Sequence, residues 1–110
     1  MTETFGERVR GKRISKGISL RKFAKITSVS PTYMSFIEKK HGVIPTEEDI
    51  FKIADLLDEN RDELLALGRK ISSDIQKIIL KHPKEISQFL RLAQSFDRDK
   101  WISLTKENNT

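Results

Sequence analysis

The sequence predicts an all-α protein, a five-helix domain followed by a shorter helical extension. Three observations carry that expectation. No segment alternates apolar and polar residues with the period of a strand, and apolar residues recur instead at helical spacing. Residues suited to starting or stopping helices (Ser, Thr, Asn, Pro, Gly) punctuate the runs where ends are needed.

Phe5, Val9 and Ile14 mark a first helix that ends near Gly17. Ser19 caps a second, LRKFAKI, with Leu20, Phe23 and Ala24 on one face. After Thr27–Ser30 a third helix begins at Pro31, with Ser30 as its cap and proline in the first turn, where no amide hydrogen is missed. Thr46 followed by Glu47, Glu48 and Asp49 opens a fourth, because the helix dipole favours negative charge in the first turn. That helix is expected to bury Ile50, Ile53, Ala54 and Leu57. Asn60 caps a fifth through Leu64, Leu65 and Leu67, which stops at Gly68. The extension, residues 69–105, holds a short helix over Asp74–Lys81 with Ile75, Ile78 and Ile79 on one side, closed by Pro83. Residues 84–96 carry an amphipathic stripe of Ile86, Phe89, Leu90, Ala93 and Phe96. A last segment, Lys100–Thr105, contains Trp101, Ile102 and Leu104, and the polar KENNT tail is expected to fray.

Composition narrows the function classes. With 36% hydrophobic and 34% charged residues, the chain reads as a soluble globular protein, not a disordered one. No apolar run approaches the roughly 20 residues that span a bilayer, and MTETFGERVR has no signal-peptide core. Zero cysteines exclude disulfides and thiolate metal sites, which fits a cytoplasmic protein. Residues 1–40 carry ten Lys and Arg against three acids, net +7, whereas residues 41–110 net −2. The excess therefore points to a polyanion facing the first third of the chain, unless those cations are merely solvated.

Several chemical motifs fail on inspection. GERVRGKR, Gly6 to Arg13, has the spacing of a phosphate loop, but Arg13 stands where a magnesium-binding hydroxyl is needed and no strand precedes it. Asp58, Asn60 and Asp62 sit at calcium-loop positions, but Glu63 replaces the turn glycine and Arg69 the closing glutamate. His41 and His82 lack zinc-site spacing. No catalytic signature appears, so neither an enzyme nor a metal or other cofactor is expected.

One motif holds. The segment SLRKFAKITSVSPTYMSFIE, Ser19 to Glu38, resembles the helix-turn-helix of Cro/C1-type (XRE family) DNA-binding regulators. Ala24 is small where the third helix must cross the second; Val29 follows the turn, and Met34 and Ile37 are spaced to pack the third helix back. KRISKGISL before the motif and IPTEEDIFKIADLLDENRDELL after it are similar to the family's flanks, so the resemblance covers roughly residues 4–68. It implies a lambda-repressor-like fold for those residues, and a pair, Arg13 with Glu38, tying the first helix to the end of the third. It also implies a left-handed backbone at the turn position usually held by glycine, which here is Ser28.

The resemblance further implies that the third helix, Pro31–Glu38, enters the major groove of double-stranded DNA. By position Pro31, Thr32, Tyr33, Ser35 and Phe36 then reach base edges. None of them makes the bidentate contacts to guanine or adenine that discriminate by about 1–3 kcal/mol each. Thr32 and Phe36 suit thymine methyls instead, and Tyr33 a base or phosphate hydrogen bond; core packing is the alternative for Phe36. Phosphate contacts are expected from the helix starts at Ser19 and Ser30 and from Arg21, Lys22, Lys39 and Lys40, with His41 a weaker candidate.

A transcriptional regulator, a repressor capable of autoregulation, is the leading expectation, working as a homodimer on a palindromic operator and encoded by a bacterium or phage. An antitoxin, a restriction–modification controller and a protein–protein module without specific DNA binding are the alternatives. The surface formed by Ile86, Phe89, Leu90, Ala93, Phe96 and Trp101 either builds the dimer or receives a protein partner, or else folds back on the first domain.

Overall fold

The computed structural model describes residues 2–106. The expected fraying of the KENNT tail, Lys106 apart, falls outside them. The described residues form eight helices and no strand: α1 Phe5–Ser15, α2 Leu20–Ile26, α3 Pro31–Ile37, α4 Glu47–Leu57, α5 Arg61–Leu67, α6 Ser73–Lys81, α7 Pro83–Ala93 and α8 Arg98–Leu104. The chain divides into two compact units, Met1–Ser72 and Ser73–Thr110. The first holds α1–α5 and the second α6–α8.

Every helix start in the first unit is capped by its own side chain. Ser19, Ser30, Thr46 and Asn60 accept the third-residue amides of α2 to α5 at 3.1, 3.0, 3.2 and 2.9 Å. α1 begins with a reciprocal box in which Thr4 accepts from the Glu7 amide and Glu7 accepts from the Thr4 amide. The T-x-x-E spacing from Thr4 to Glu7 is the sequence signal of this box.

Four of the five helix ends share one device. Gly17, Ser28, Asp58 and Arg69 take left-handed backbones, with φ of 70°, 63°, 56° and 61°. The next amide then reaches back five residues: Ile18 to Arg13, Val29 to Ala24, Glu59 to Ala54 and Lys70 to Leu65, at 2.8–3.2 Å. Gly68 ends α5 as expected, but the left-handed residue is Arg69. Gly68 has φ of −86° and is small because a Cβ there would meet Ile44 at 2.8 Å. Residues 69–72 also belong to the first unit, since Lys70 Nζ donates to the Pro45 carbonyl at 2.9 Å.

The core is one cluster drawn from all five helices: Phe5, Val9, Phe23, Ala24, Met34, Ile37, Ile50, Ile53, Ala54, Leu57, Leu64 and Leu65. Ile14 is a correction, for it is 54% exposed. It lies five residues beyond Val9, which rotates it about 140° away from the buried stripe.

In the second unit Ala93 is the one fully buried apolar side chain among the described residues. Pro83 occupies the first turn of α7. The expected stripe is interrupted, because α7 ends at Ala93 and Phe96 lies in the turn before α8. There Phe96 meets Phe89 and Trp101 edge-on, with ring centroids 6.4 and 5.6 Å apart. Asp97 caps α8 by accepting the Lys100 amide at 2.8 Å.

Candidate nucleic-acid interface

The packing of α3 on α2 decides which side chains of α3 are free. Met34 and Ile37 are fully buried against Phe23 and Ala24, so the opposite side of a seven-residue helix faces solvent. Pro31, Thr32, Ser35 and Phe36 are exposed there, as are Ser30 and Ser19 at the two helix starts. Tyr33 is half-buried against the core, which leaves only its outer part available. Phe36 is 44% exposed, so core packing does not account for it. Lys39 holds its ammonium 4.5 Å from the Phe36 ring centroid, an arrangement that keeps cation and ring together at the end of the helix.

A buried hydroxyl and a left-handed turn close α2 before α3 begins. Thr27, 1% exposed, donates to the carbonyls of Phe23 and Ala24 at 2.8 and 3.2 Å, satisfying the end of α2 inside the core. Ser28 then reverses the chain with φ of 63°. Thr27 escaped the sequence reading, since a threonine beside a turn reads as loop.

Arg13 and Glu38 form a bidentate pair, Nε to Oε2 at 2.7 Å and Nη2 to Oε1 at 3.0 Å. The remaining Nη1 of Arg13 donates to the Ile18 carbonyl at 2.8 Å, so the guanidinium joins α1, the α1–α2 turn and the end of α3. Both side chains are largely buried, at 12% and 5% exposure. Gly6 allows α1 to approach the end of α3, and Gly42 allows the chain after α3 to fold back on it. A Cβ on Gly6 would sit 2.1 Å from the Lys39 carbonyl oxygen, and one on Gly42 would sit 2.0 Å from that of Phe36. Of the two glycines in GERVRGKR, Gly6 is therefore a packing residue of α1, whereas Gly11 faces open space.

The structure also redistributes the charge. On α1, Arg8 pairs with Glu3 and Glu59, Lys12 with Glu59 and Arg13 with Glu38; just past its end, Lys16 pairs with Asp58. Burial alone would raise the Glu59 carboxyl, but Arg8 and Lys12 outweigh it and hold the group below its ordinary range. The cations of residues 1–40 that form no ion pair with a carboxylate among the described residues are Arg10, Arg21, Lys22, Lys25, Lys39 and Lys40. Arg21 and Lys22 stand in the first turn of α2, and Lys39 and Lys40 just beyond α3. The surplus is thus concentrated on the helix-turn-helix side, a separation that no count along the chain displays. His41 is exposed beside them.

No group of three or more His, Cys, Asp or Glu residues among the described ones is placed to hold a metal ion. No described helix is long and apolar enough to cross a membrane.

A helix-turn-helix family model matches residues 9–64. The crystal structure of the biofilm master regulator SinR in complex with DNA is 31% identical over 56% of this chain and 98% of that one, with a TM-score of 0.51. The N-terminal DNA-binding domain of SinR from Bacillus subtilis gives 30% identity over 58% and 93%, also at 0.51. The clp gene regulator ClgR from Corynebacterium glutamicum, 23% identical over 84% and 88% with a TM-score of 0.50, shares the fold. None of the curated proteins matches the chain. The packed α2–α3 pair, the exposed face of α3 and the matched family model lead to one conclusion: the chain belongs to the XRE-type helix-turn-helix family of DNA-binding transcriptional regulators.

Proposed function

We propose that this protein is a cytoplasmic repressor that binds a palindromic double-stranded operator as a homodimer, with Pro31–Glu38 in the major groove. The observation that carries this reading is the exposed Thr32–Ser35–Phe36 face of α3, bordered by unpaired Arg21, Lys22, Lys39 and Lys40. Its likeness to SinR, solved with DNA, supports the same reading. Thr32 and Phe36 present methyl and ring carbons that suit thymine methyl groups, and the lysines and Arg21 suit phosphates. Affinity then rests on backbone contacts and rises steeply as salt falls, with part of the sequence read through shape.

The second unit supplies the dimer. It exposes Phe89, Leu90, Trp101, Ile75 and Ile78 by 38–50% each, and one fully buried apolar residue is too little core for an independent unit of this size. A second copy seated on these residues covers them, and pairs two recognition helices for the two half-sites of a palindrome, which lie about one DNA turn, ~34 Å, apart.

Electrophoretic mobility of DNA from upstream of the protein's own gene tests the proposal. Wild type retards this DNA in preference to a random duplex, and Phe36→Ala loses most of that preference. Replacing operator thymines with uracil, which removes only the methyl groups, gives the same loss with wild type. Equal retardation of every duplex by both proteins contradicts specific binding through this face.

A further inference from the structure

Arg10 stands apart from its neighbours on α1. The other cations of that helix, Arg8, Lys12 and Arg13, each hold a carboxylate within ion-pair distance. Arg10 is exposed and makes neither a hydrogen bond nor an ion pair among the described residues. It also lines a groove shared by three elements, with Leu20 of α2, Ser35 of α3 and the Lys39–Lys40 segment after α3. Neither acid in that groove pairs with Arg10. Glu38 is taken up by Arg13, and Glu7 is turned to the α1 start, where the Thr4 amide first, and the Lys40 and His41 charges beyond it, hold its carboxyl below the ordinary range. Counting Arg13, the groove has four cations against two carboxylates. A helix exposing its one uncompensated arginine beside the recognition helix is built for an anion arriving from outside the protein.

We propose that Arg10, on α1 and outside the helix-turn-helix, is a DNA-phosphate-binding residue that clamps the backbone together with Lys39 and Lys40. The inference rests on α3 entering the major groove, because Arg10 shares its groove with Ser35 of α3 and with Lys39 and Lys40 just beyond that helix. Arg10 reads no base in this position. Its guanidinium supplies a forked, permanently charged donor to phosphate oxygens, and its removal weakens every sequence alike.

The test is a salt titration of binding by the full-length chain, using a random-sequence duplex of about two helical turns and an operator selected from a random pool. Arg10→Ala, Arg10→Lys and Lys39→Ala are compared with wild type, and each is first checked for an unchanged melting temperature. The expected result is that Arg10→Ala weakens both duplexes by the same factor and lowers the slope of log K against log salt by about 0.9. Its deficit relative to wild type then shrinks about 3.5-fold between 50 and 200 mM salt, and Arg10→Lys restores the slope. If Arg10→Ala leaves affinity and slope at the wild-type values while Lys39→Ala lowers them, the clamp is overturned and the recognition-helix reading stands. A loss confined to the selected operator also overturns it, because that marks base readout. If wild type binds neither duplex, the DNA-binding reading fails and this proposal with it.

Discussion

Gly6 lacks a Cβ because α1 passes the end of α3 too closely to admit one. Gly6→Ala is therefore expected to destabilise the first unit by about 2 kcal/mol, despite the better helix propensity of alanine. The obstructing atoms are the backbone carbonyls of Lys39 and Ile37, which no side-chain rotation can move aside. Thermal or urea unfolding measures this, and an unchanged midpoint would show that the two helices can part cheaply. Ser28 poses the opposite case. Its φ of 63° is the conformation the resemblance implies, carried by a residue with a Cβ. Ser28→Gly should raise stability by about 0.5–1 kcal/mol, read in the same experiment, by removing that strain. Ser28 was legible because one position in a known turn departs from glycine. Gly6 was not, since nothing local distinguishes a glycine that admits a neighbouring backbone from one tolerated on a helix surface.

Among the elements, α1 is fastened to the rest of the first unit by charge as well as by Phe5 and Val9. Removing one partner of Arg13–Glu38 leaves an uncompensated buried charge, so Glu38→Ala is expected to cost about 3 kcal/mol. Arg13→Met combined with Glu38→Leu should cost distinctly less than Glu38→Ala in chemical denaturation. The second fastening, Arg8 and Lys12 on Glu59, gives a pH dependence. Because the Glu59 carboxyl is lowered in the folded state, its stabilisation is complete above its ordinary value of 4.5 and fades as pH falls through the lowered one. Melting temperatures should decline in that acid window, and Glu59→Gln should flatten part of the decline. The Arg13–Glu38 pair could be anticipated only through resemblance. The Glu59 cluster joins residues 51 positions apart, and no spacing rule reaches that far. Helix starts were far easier to read, since Ser19, Ser30, Thr46 and Asn60 each declare themselves beside an apolar run. Helix ends were harder, because Asp58 and Arg69 adopt the left-handed turn that a reader expects of glycine.

For the whole molecule, the five-helix unit and the second unit depend on different physics. Residues 1–72 enclose a core of their own, so a chain ending at Ser72 is expected to stay folded. On the dimer proposal that truncated chain sediments as a monomer and binds a two-half-site operator more weakly than the full chain, whereas a truncated dimer with full affinity would assign the pairing surface to the first unit. The sequence exposed the amphipathic stripe of residues 84–96 but not its break at Ala93, because Phe96 keeps helical spacing while the backbone has already turned toward α8. Charge behaved similarly: the +7 of the first forty residues was visible, yet its partition into α1 cations that are paired, Arg10 excepted, and unpaired ones flanking α3 depends partly on Asp58 and Glu59, which lie in the acidic remainder. That partition underlies the central claim, that this protein holds DNA chiefly through phosphates while α3 reads the major groove with methyl, ring and hydroxyl groups. The most direct measurement is the affinity of the full chain for its operator as a function of salt. The account predicts a linear fall of log K with log salt, with a slope steeper than about −4, as several phosphate contacts require. A slope near zero at undiminished affinity would contradict it.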